Sequence, residues 1–131
     1  MLLKPSFFQW FLALTLGVPG LATVVSATGC HDEAKGPPEA PTDLTARRDT
    51  NSLVITWSAD EDSRRTRFDI YRVTSSDSDS SYKKLAEVPA TKRSYIDKEI
   101  VSGHTYQYYI VSLTADGVTS EPSDVLERSY P

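Results

Sequence analysis

From Thr42 to the end, the chain alternates apolar and polar residues in short runs, and turn residues separate the runs. Side chains along a strand point alternately to opposite faces, so a period of two marks a half-buried strand. Ser52–Trp57 (SLVITW) sets Leu53, Ile55 and Trp57 on one face and Val54 and Thr56 on the other. Arg67–Thr74 (RFDIYRVT) sets Phe68 and Ile70 against Asp69 and Tyr71. Thr105–Leu113 (TYQYYIVSL) is the longest apolar run. With Asp43–Ala46, Tyr82–Val88, Ser94–Asp97 and Val125–Arg128 this predicts seven strands, rich in aromatic and β-branched types. No stretch carries a helical period. Seven short strands at such spacing predict an all-β antiparallel sandwich. Its core is expected to hold Leu44, Leu53, Ile55, Trp57, Phe68, Ile70, Leu85, Tyr95, Ile100, Tyr108 and Ile110.

The first thirty residues are a different material. Residues 1–29 contain one ionisable side chain, Lys4, while all 18 acids lie at or beyond Asp32. A basic start, an apolar run over residues 7–27 and the small residues Ala27, Thr28 and Gly29 have the layout of a secretory signal peptide. The chain's single cysteine, Cys30, closes this segment. It has no second cysteine to pair with and no His/Cys cluster around it. Three fates stay open at this point: cleavage just before Cys30, cleavage after Ala27, or an uncut span, for which about 20 apolar residues suffice. All three place the rest outside the cytoplasm. Residues 31–41 (HDEAKGPPEAP) are polar and proline-rich and read as a partly extended tether.

Two resemblances sharpen this reading. The stretch ATGC, ending at Cys30, resembles the lipobox of bacterial lipoproteins, with Ala27 where that family usually has Leu. The resemblance implies a lipid on the Cys30 sulfur, an acylated new amino group and a membrane anchor. Several chains give a stable hold where one is marginal, at about 0.8 kcal/mol per buried CH₂. His31 follows the cysteine where Asp favours inner-membrane retention in some lineages, which favours an outer membrane in a host that has one. Residues 37–128 resemble a fibronectin type III domain: PPEAPTDL at its proline-led start, LVITW with Trp57 on the second strand, FDIYRVTSSDSDSSYKKLAEV across the third and fourth, and SYIDKEIVSGHTYQYYIVSLTADGVTSEPSD across the last three. Ser102 stands where a proline often precedes the glycine. The resemblance implies an immunoglobulin-like sandwich and puts Tyr106 at the tyrosine-corner position. The expected layout is therefore a leader over 1–29, a lipidated Cys30 with its tether over 30–41, and the sandwich over 42–131.

Chemistry is harder to find. His31 falls in the tether and His104 in a turn, where a lone histidine is a solvated residue. There is no nucleophile motif, metal-ligand spacing or glycine-rich phosphate loop. The chain is expected to be no enzyme and to need no cofactor. Ser75–Ser81 (SSDSDSS) offers oxygen donors but lacks the glycine and distant Glu of a calcium loop, and reads as a soluble loop. Asp60–Arg67 (DEDSRRTR) reads as a solvated loop with weak ion pairs. A net charge of -4 argues against nucleic acid as a partner. The Arg-Gly-Asp tripeptide is absent.

If Phe68, Ile70, Tyr108 and Ile110 point inward, then Tyr71, Val73, Tyr109, Val111 and Leu113 point outward, on strands that neighbour each other in this fold. They make a candidate apolar contact strip, set against ordinary cross-strand pairing on a wet face. The function expected is a lipid-anchored, extracytoplasmic, non-catalytic module that contacts an envelope or surface protein. The alternative is an accessory carbohydrate-binding or spacer unit of a surface enzyme system, with a glycan as partner.

Overall fold

A computed structural model describes residues 36–131. The leader, Cys30 and residues 31–35 lie outside the described residues. Seven strands follow in order: β1 (Thr42–Asp49), β2 (Ser52–Ser58), β3 (Arg65–Thr74), β4 (Lys83–Pro89), β5 (Ser94–Asp97), β6 (His104–Thr114) and β7 (Leu126–Tyr130). They build a three-stranded sheet, β1-β2-β5, and a four-stranded sheet, β4-β3-β6-β7, with every pairing antiparallel. The architecture is the expected all-β sandwich.

The core contains the inward positions that the alternation predicts and adds Tyr106 and Tyr130, which are not among them. Leu53, Ile55, Phe68, Ile70, Tyr108 and Ile110 are sealed from solvent, with Trp57, Tyr106 and Tyr130 beside them. Leu44, Leu85, Tyr95 and Ile100 are partly buried and pack against that cluster. Trp57 meets Phe68 edge to face at 5.4 Å, a favoured aromatic geometry.

Three side-chain devices complete the backbone. The Tyr106 hydroxyl accepts from the Val101 N–H at 2.6 Å and reaches the Val101 carbonyl at 3.4 Å, which pins the loop before β6. This is the tyrosine corner. Ahead of β7, Ser120 and Ser123 run beside β6. Their hydroxyls accept from the N–H groups of Ser112 and Ile110, each at 2.9 Å. Here hydroxyls finish a ladder that the backbone between Thr119 and Leu126, with Pro122 inside it, leaves incomplete. At the β1 edge, Asp43 takes a positive φ of 53°, and the β1–β2 register slips between Thr42 and Thr45 as a bulge.

The third device links the two sheets. Asp97, at the end of β5, is fully buried. It accepts from Arg72 Nη1 on β3 at 2.7 Å, from the Tyr108 hydroxyl on β6 at 2.8 Å and from the Glu99 N–H at 3.0 Å. Arg72 and Tyr108 stand opposite each other in the β3–β6 register. Burial works against charge on the Arg72 guanidinium, and the hydrogen bond and charge of Asp97 more than offset it, so its pKa lies above the ordinary value.

Two expectations need correction. His104 opens β6 opposite Tyr130 and keeps its Nδ1 buried, so it is no solvated turn residue. Arg65, read as part of a solvated loop, opens β3 with its side chain only 2% exposed. It donates to Ser112 Oγ at 3.0 Å, to the Asp60 carbonyl and carboxylate, and lies 5.3 Å over the Phe68 ring. Every donor it buries meets an acceptor or a ring, which is what makes its burial tolerable.

Of the tether expected over residues 30–41, residues 36–41 are described, and they lie against the sandwich. Pro38 and Pro41 are buried. Arg64 donates to the Gly36 carbonyl at 3.0 Å and Arg65 to the Glu39 carbonyl at 3.5 Å.

Replacing Tyr106 by Phe keeps the ring and removes the hydroxyl that satisfies Val101. Urea unfolding should show a loss of about 1–3 kcal/mol. A loss under about 0.5 kcal/mol would mean that solvent satisfies that loop and the corner adds little.

Candidate functional site

The outer face of the four-stranded sheet carries the candidate contact residues. In register across β3 and β6, Arg67 stands opposite Leu113, Asp69 opposite Val111, Tyr71 opposite Tyr109 and Val73 opposite Gln107. The strip the sequence outlines is therefore continuous along two neighbouring strands.

Its exposure differs from expectation. Val73, Val111 and Leu113 are only 8%, 8% and 5% exposed, although none belongs to the inner cluster. An ionic layer stands beside two of them, since Asp69 is opposite Val111 and Arg67 opposite Leu113, while Val73 faces Gln107 farther along the strand. Asp69, itself 2% exposed, takes Arg67 Nε at 3.0 Å and Lys84 Nζ at 3.2 Å. Lys84 also reaches Glu87 at 2.6 Å. Long basic side chains cover apolar surface with their stems while the charged heads stay wet. The Lys84 pKa is raised by its hydrogen bonds to Glu87 and then Asp69, and the Glu87 pKa is lowered by Lys84.

What remains open is aromatic. Tyr71 and Tyr109 stack with ring centres 4.8 Å apart and planes within 12°, and Tyr82 leans on Tyr109 at 4.8 Å and 59°. All three are half-buried. The Tyr82 hydroxyl donates to Gln107 Oε1 at 2.9 Å, and Gln107 Nε2 donates to Glu127 at 2.7 Å. This chain fixes the ring of Tyr82, which lies just before β4, to β6 and β7. Alongside is an open cleft of about 450 Å³ whose walls include Thr74, Ser75, Ser80, Thr105, Gln107 and Glu127. Hydroxyls, an amide, one carboxylate and the apolar Val73 line it, without a basic side chain, so it suits a neutral hydrogen-bonding ligand better than an anion.

Sequence reading missed Tyr82, Gln107 and Glu127. Tyr82 was legible only as a strand residue. The other two are polar residues whose partners lie 20 or more positions away.

The loop Ser75–Ser81 uses its carboxylates locally. Asp77 accepts from the Thr74 N–H at 2.8 Å and Asp79 from the Ser81 N–H at 3.3 Å. Hydrogen bonding from the Ser81 side chain, and then from its N–H, lowers the Asp79 pKa. Such bonds shape a turn. Among the described residues, no group of three or more His, Cys, Asp or Glu side chains is gathered closely enough to hold a metal.

The tyrosines leave a titration signature. Burial raises the Tyr109 pKa, with the neighbouring Tyr71 and Tyr82 adding to it. Burial and the hydrogen bond to Asp97 raise that of Tyr108 strongly. A phenol held neutral keeps its proton after the unfolded chain has lost its own, near pH ~10. The folded state then binds more protons, so stability is full below that pH and falls as pH rises above it. Ultraviolet titration should find two or more tyrosines ionising late, and Tyr108→Phe should flatten the alkaline fall in stability. Ionisation of all tyrosines together near pH ~10 without unfolding would contradict the burial described here.

Comparison with known proteins agrees with this geometry. The family model described as Fibronectin type III domain matches residues 39–129. Among solved structures, an Fn3-like protein from Clostridium thermocellum is 26% identical, with 73% of this chain and 96% of that chain covered and a TM-score of 0.58. Pectate lyase PelI from Erwinia chrysanthemi, in complex with tetragalacturonic acid, is 25% identical, with 67% of this chain but 28% of the lyase chain covered and a TM-score of 0.56. A structure titled "Myokine structure" shares the fold at 24% identity, 72% and 98% coverage and a TM-score of 0.60. No curated protein matches the chain.

Proposed function

The chain belongs to the fibronectin type III family, and on that footing we propose that it is a lipid-anchored module of the cell envelope that works by contact and not by catalysis. Domains of this family serve as spacers or binding units, including within enzymes. The observation that carries the reading is the outer face of the four-stranded sheet. There Tyr71 and Tyr109 on the two central strands and Tyr82 just before β4 form a half-open cluster, and the surface around it is tied down by ion pairs. Tyrosine supplies contact area at low conformational cost and is enriched in interfaces. The partner in this reading is an envelope or surface protein.

The anchor rests on the sequence: an apolar leader without acids, the ATGC stretch, and one cysteine at its end. Lipid on Cys30 would confine the module to a membrane surface, where even a weak contact face meets its partner at high effective concentration.

A second reading has its own support. The likeness to pectate lyase PelI covers only 28% of that chain, so a module of this kind accompanies a larger enzyme there. The hydroxyl-lined cleft beside the tyrosines has suitable chemistry for a sugar. In that reading the chain is an accessory carbohydrate-binding or spacer unit. A glycan array separates the two: retention of neutral oligosaccharides that is lost in Tyr82→Ala favours the second, and an array without signal favours the first.

Anchoring is tested by detergent phase separation of the full chain made in a bacterial host. The wild type should enter the detergent phase and Cys30→Ser should not. Wild-type chain in the aqueous phase, with a free thiol at Cys30, would overturn the anchor.

A further inference from the structure

The chain enters the sandwich at one defined pole, and two arginines hold it there. Arg64 donates to the Gly36 carbonyl at 3.0 Å while its other guanidinium nitrogens grip Asp62. Arg65, sealed beneath, reaches the Glu39 carbonyl. Pro38 and Pro41 are buried, and β1 starts directly afterwards, with Thr42 opposite Ser58. Proline fixes its own backbone torsion, so a docked stretch with three prolines is a stiff strap.

This pole carries the Asp60–Arg64 loop and the Ala115–Val118 turn, which share a hollow lined by Arg64 and Val118. The opposite pole carries the β1–β2 turn, the Ser75–Ser81 loop and the Glu99–Gly103 loop, where Gly103 donates to the Tyr130 carbonyl and the Tyr130 hydroxyl to that of Thr50. The 11-residue β6 runs from one pole to the other, about 35 Å. Tyr82, Gln107 and the hydroxyl-lined cleft lie toward the far pole.

We infer that the strap sets the orientation of the anchored domain: the pole of Asp60–Arg64 and Val118 faces the lipid headgroups, and the far pole, with the tyrosine cluster and its cleft, faces away. This rests on the anchor at Cys30. With residues 36–41 docked, only five residues, His31–Lys35, separate Cys30 from the clamped strap. Even fully extended they span about 20 Å, which is short against the height of the sandwich. A tether free throughout residues 31–41 would reach about 35 Å and let the domain tumble. The clamp turns a loose leash into a short stalk, and so selects which surface a partner can reach.

The test uses the lipidated full-length protein in liposomes. Acylated Cys30 has no free thiol, so a single fluorophore can be placed at Val118→Cys on the near pole or Val101→Cys on the far pole. Both sites are solvent-exposed, at 42% and 59%. Energy transfer to a headgroup-labelled lipid is read only on protein that floats with the vesicles. Transfer from position 118 should exceed that from 101 several-fold. About ten Gly/Ser residues inserted after Lys35 should bring the two together, and Arg64→Ala, which frees Gly36 but leaves Pro38 and Pro41 buried and Arg65 on Glu39, should narrow the gap. Equal transfer from both positions in the floating wild type would overturn the orientation and leave the anchor standing. An unchanged ratio after the Gly/Ser insertion would remove the short clamped tether as its cause. Protein that stays in solution with a free Cys30 thiol would overturn the anchor and the orientation with it.

Discussion

Asp97 carries a carboxylate in a site with no solvent exposure. Taking such a charge out of water costs several kcal/mol unless partners replace the water. Here the partners come from the other sheet. Arg72 on β3 and Tyr108 on β6 converge on one carboxylate oxygen, and the Glu99 N–H holds the other. Apolar contacts are tolerant of small slips, and a buried ion is not. If the two sheets slid past one another, the carboxylate and the guanidinium would each be stranded. The network therefore fixes the position of the three-stranded sheet on the four-stranded one, while the apolar core around it supplies most of the driving force.

The outer face depends on that alignment. Arg72 points in to Asp97, so its neighbours Tyr71 and Val73 point out, and the β3–β6 register sets Tyr71 against Tyr109. A bulge between Ile70 and Tyr71 in the β3–β4 pairing places Lys84 opposite Tyr71, from where its amine reaches Asp69 and Glu87. One alternating strand thus builds the interior clamp with one side and the outer face that carries the tyrosine cluster with the other. A one-residue slip would exchange the two. At the near pole the same economy recurs, where Arg65 seals the core over Phe68 and its neighbour Arg64 holds the incoming chain.

Much of this was legible in the residues, and the failures have physical reasons. Period-two runs located all seven strands and most of the core, because alternation follows directly from strand geometry, but they missed Tyr130, which lies beyond the expected end of the last strand. Strand ends shifted by one to three residues, as at β3, which opens at Arg65 and not Arg67, because hydrogen bonding and not hydropathy decides where a strand stops. Alternation also states the direction of a side chain but not what covers it. Val73, Val111 and Leu113 left the core as expected, yet ended buried, Val111 and Leu113 beside the Asp69–Arg67–Lys84 layer, whose members come from two strands, and Val73 against Gln107. Arg65 looked like a surface charge because its acceptors Ser112 and Glu39 are far off in sequence. The Arg72–Asp97 pair, 25 positions apart, left no local trace either. Pro38 and Pro41 read as linker because composition cannot tell a free proline from a docked one.

The inter-sheet clamp is tested most directly by a double-mutant cycle on Arg72→Leu and Asp97→Ala, read by urea unfolding. Arg72→Leu should cost about 3–5 kcal/mol by leaving the buried Asp97 carboxylate without its counter-charge, and Asp97→Ala somewhat less, because Arg72 is 19% exposed and keeps its contacts with Glu99. The pair together should cost little more than one, giving a coupling of about 2 kcal/mol or larger. Additive losses, within about 0.5 kcal/mol, would show that the sheets are registered by apolar packing alone and would contradict the account.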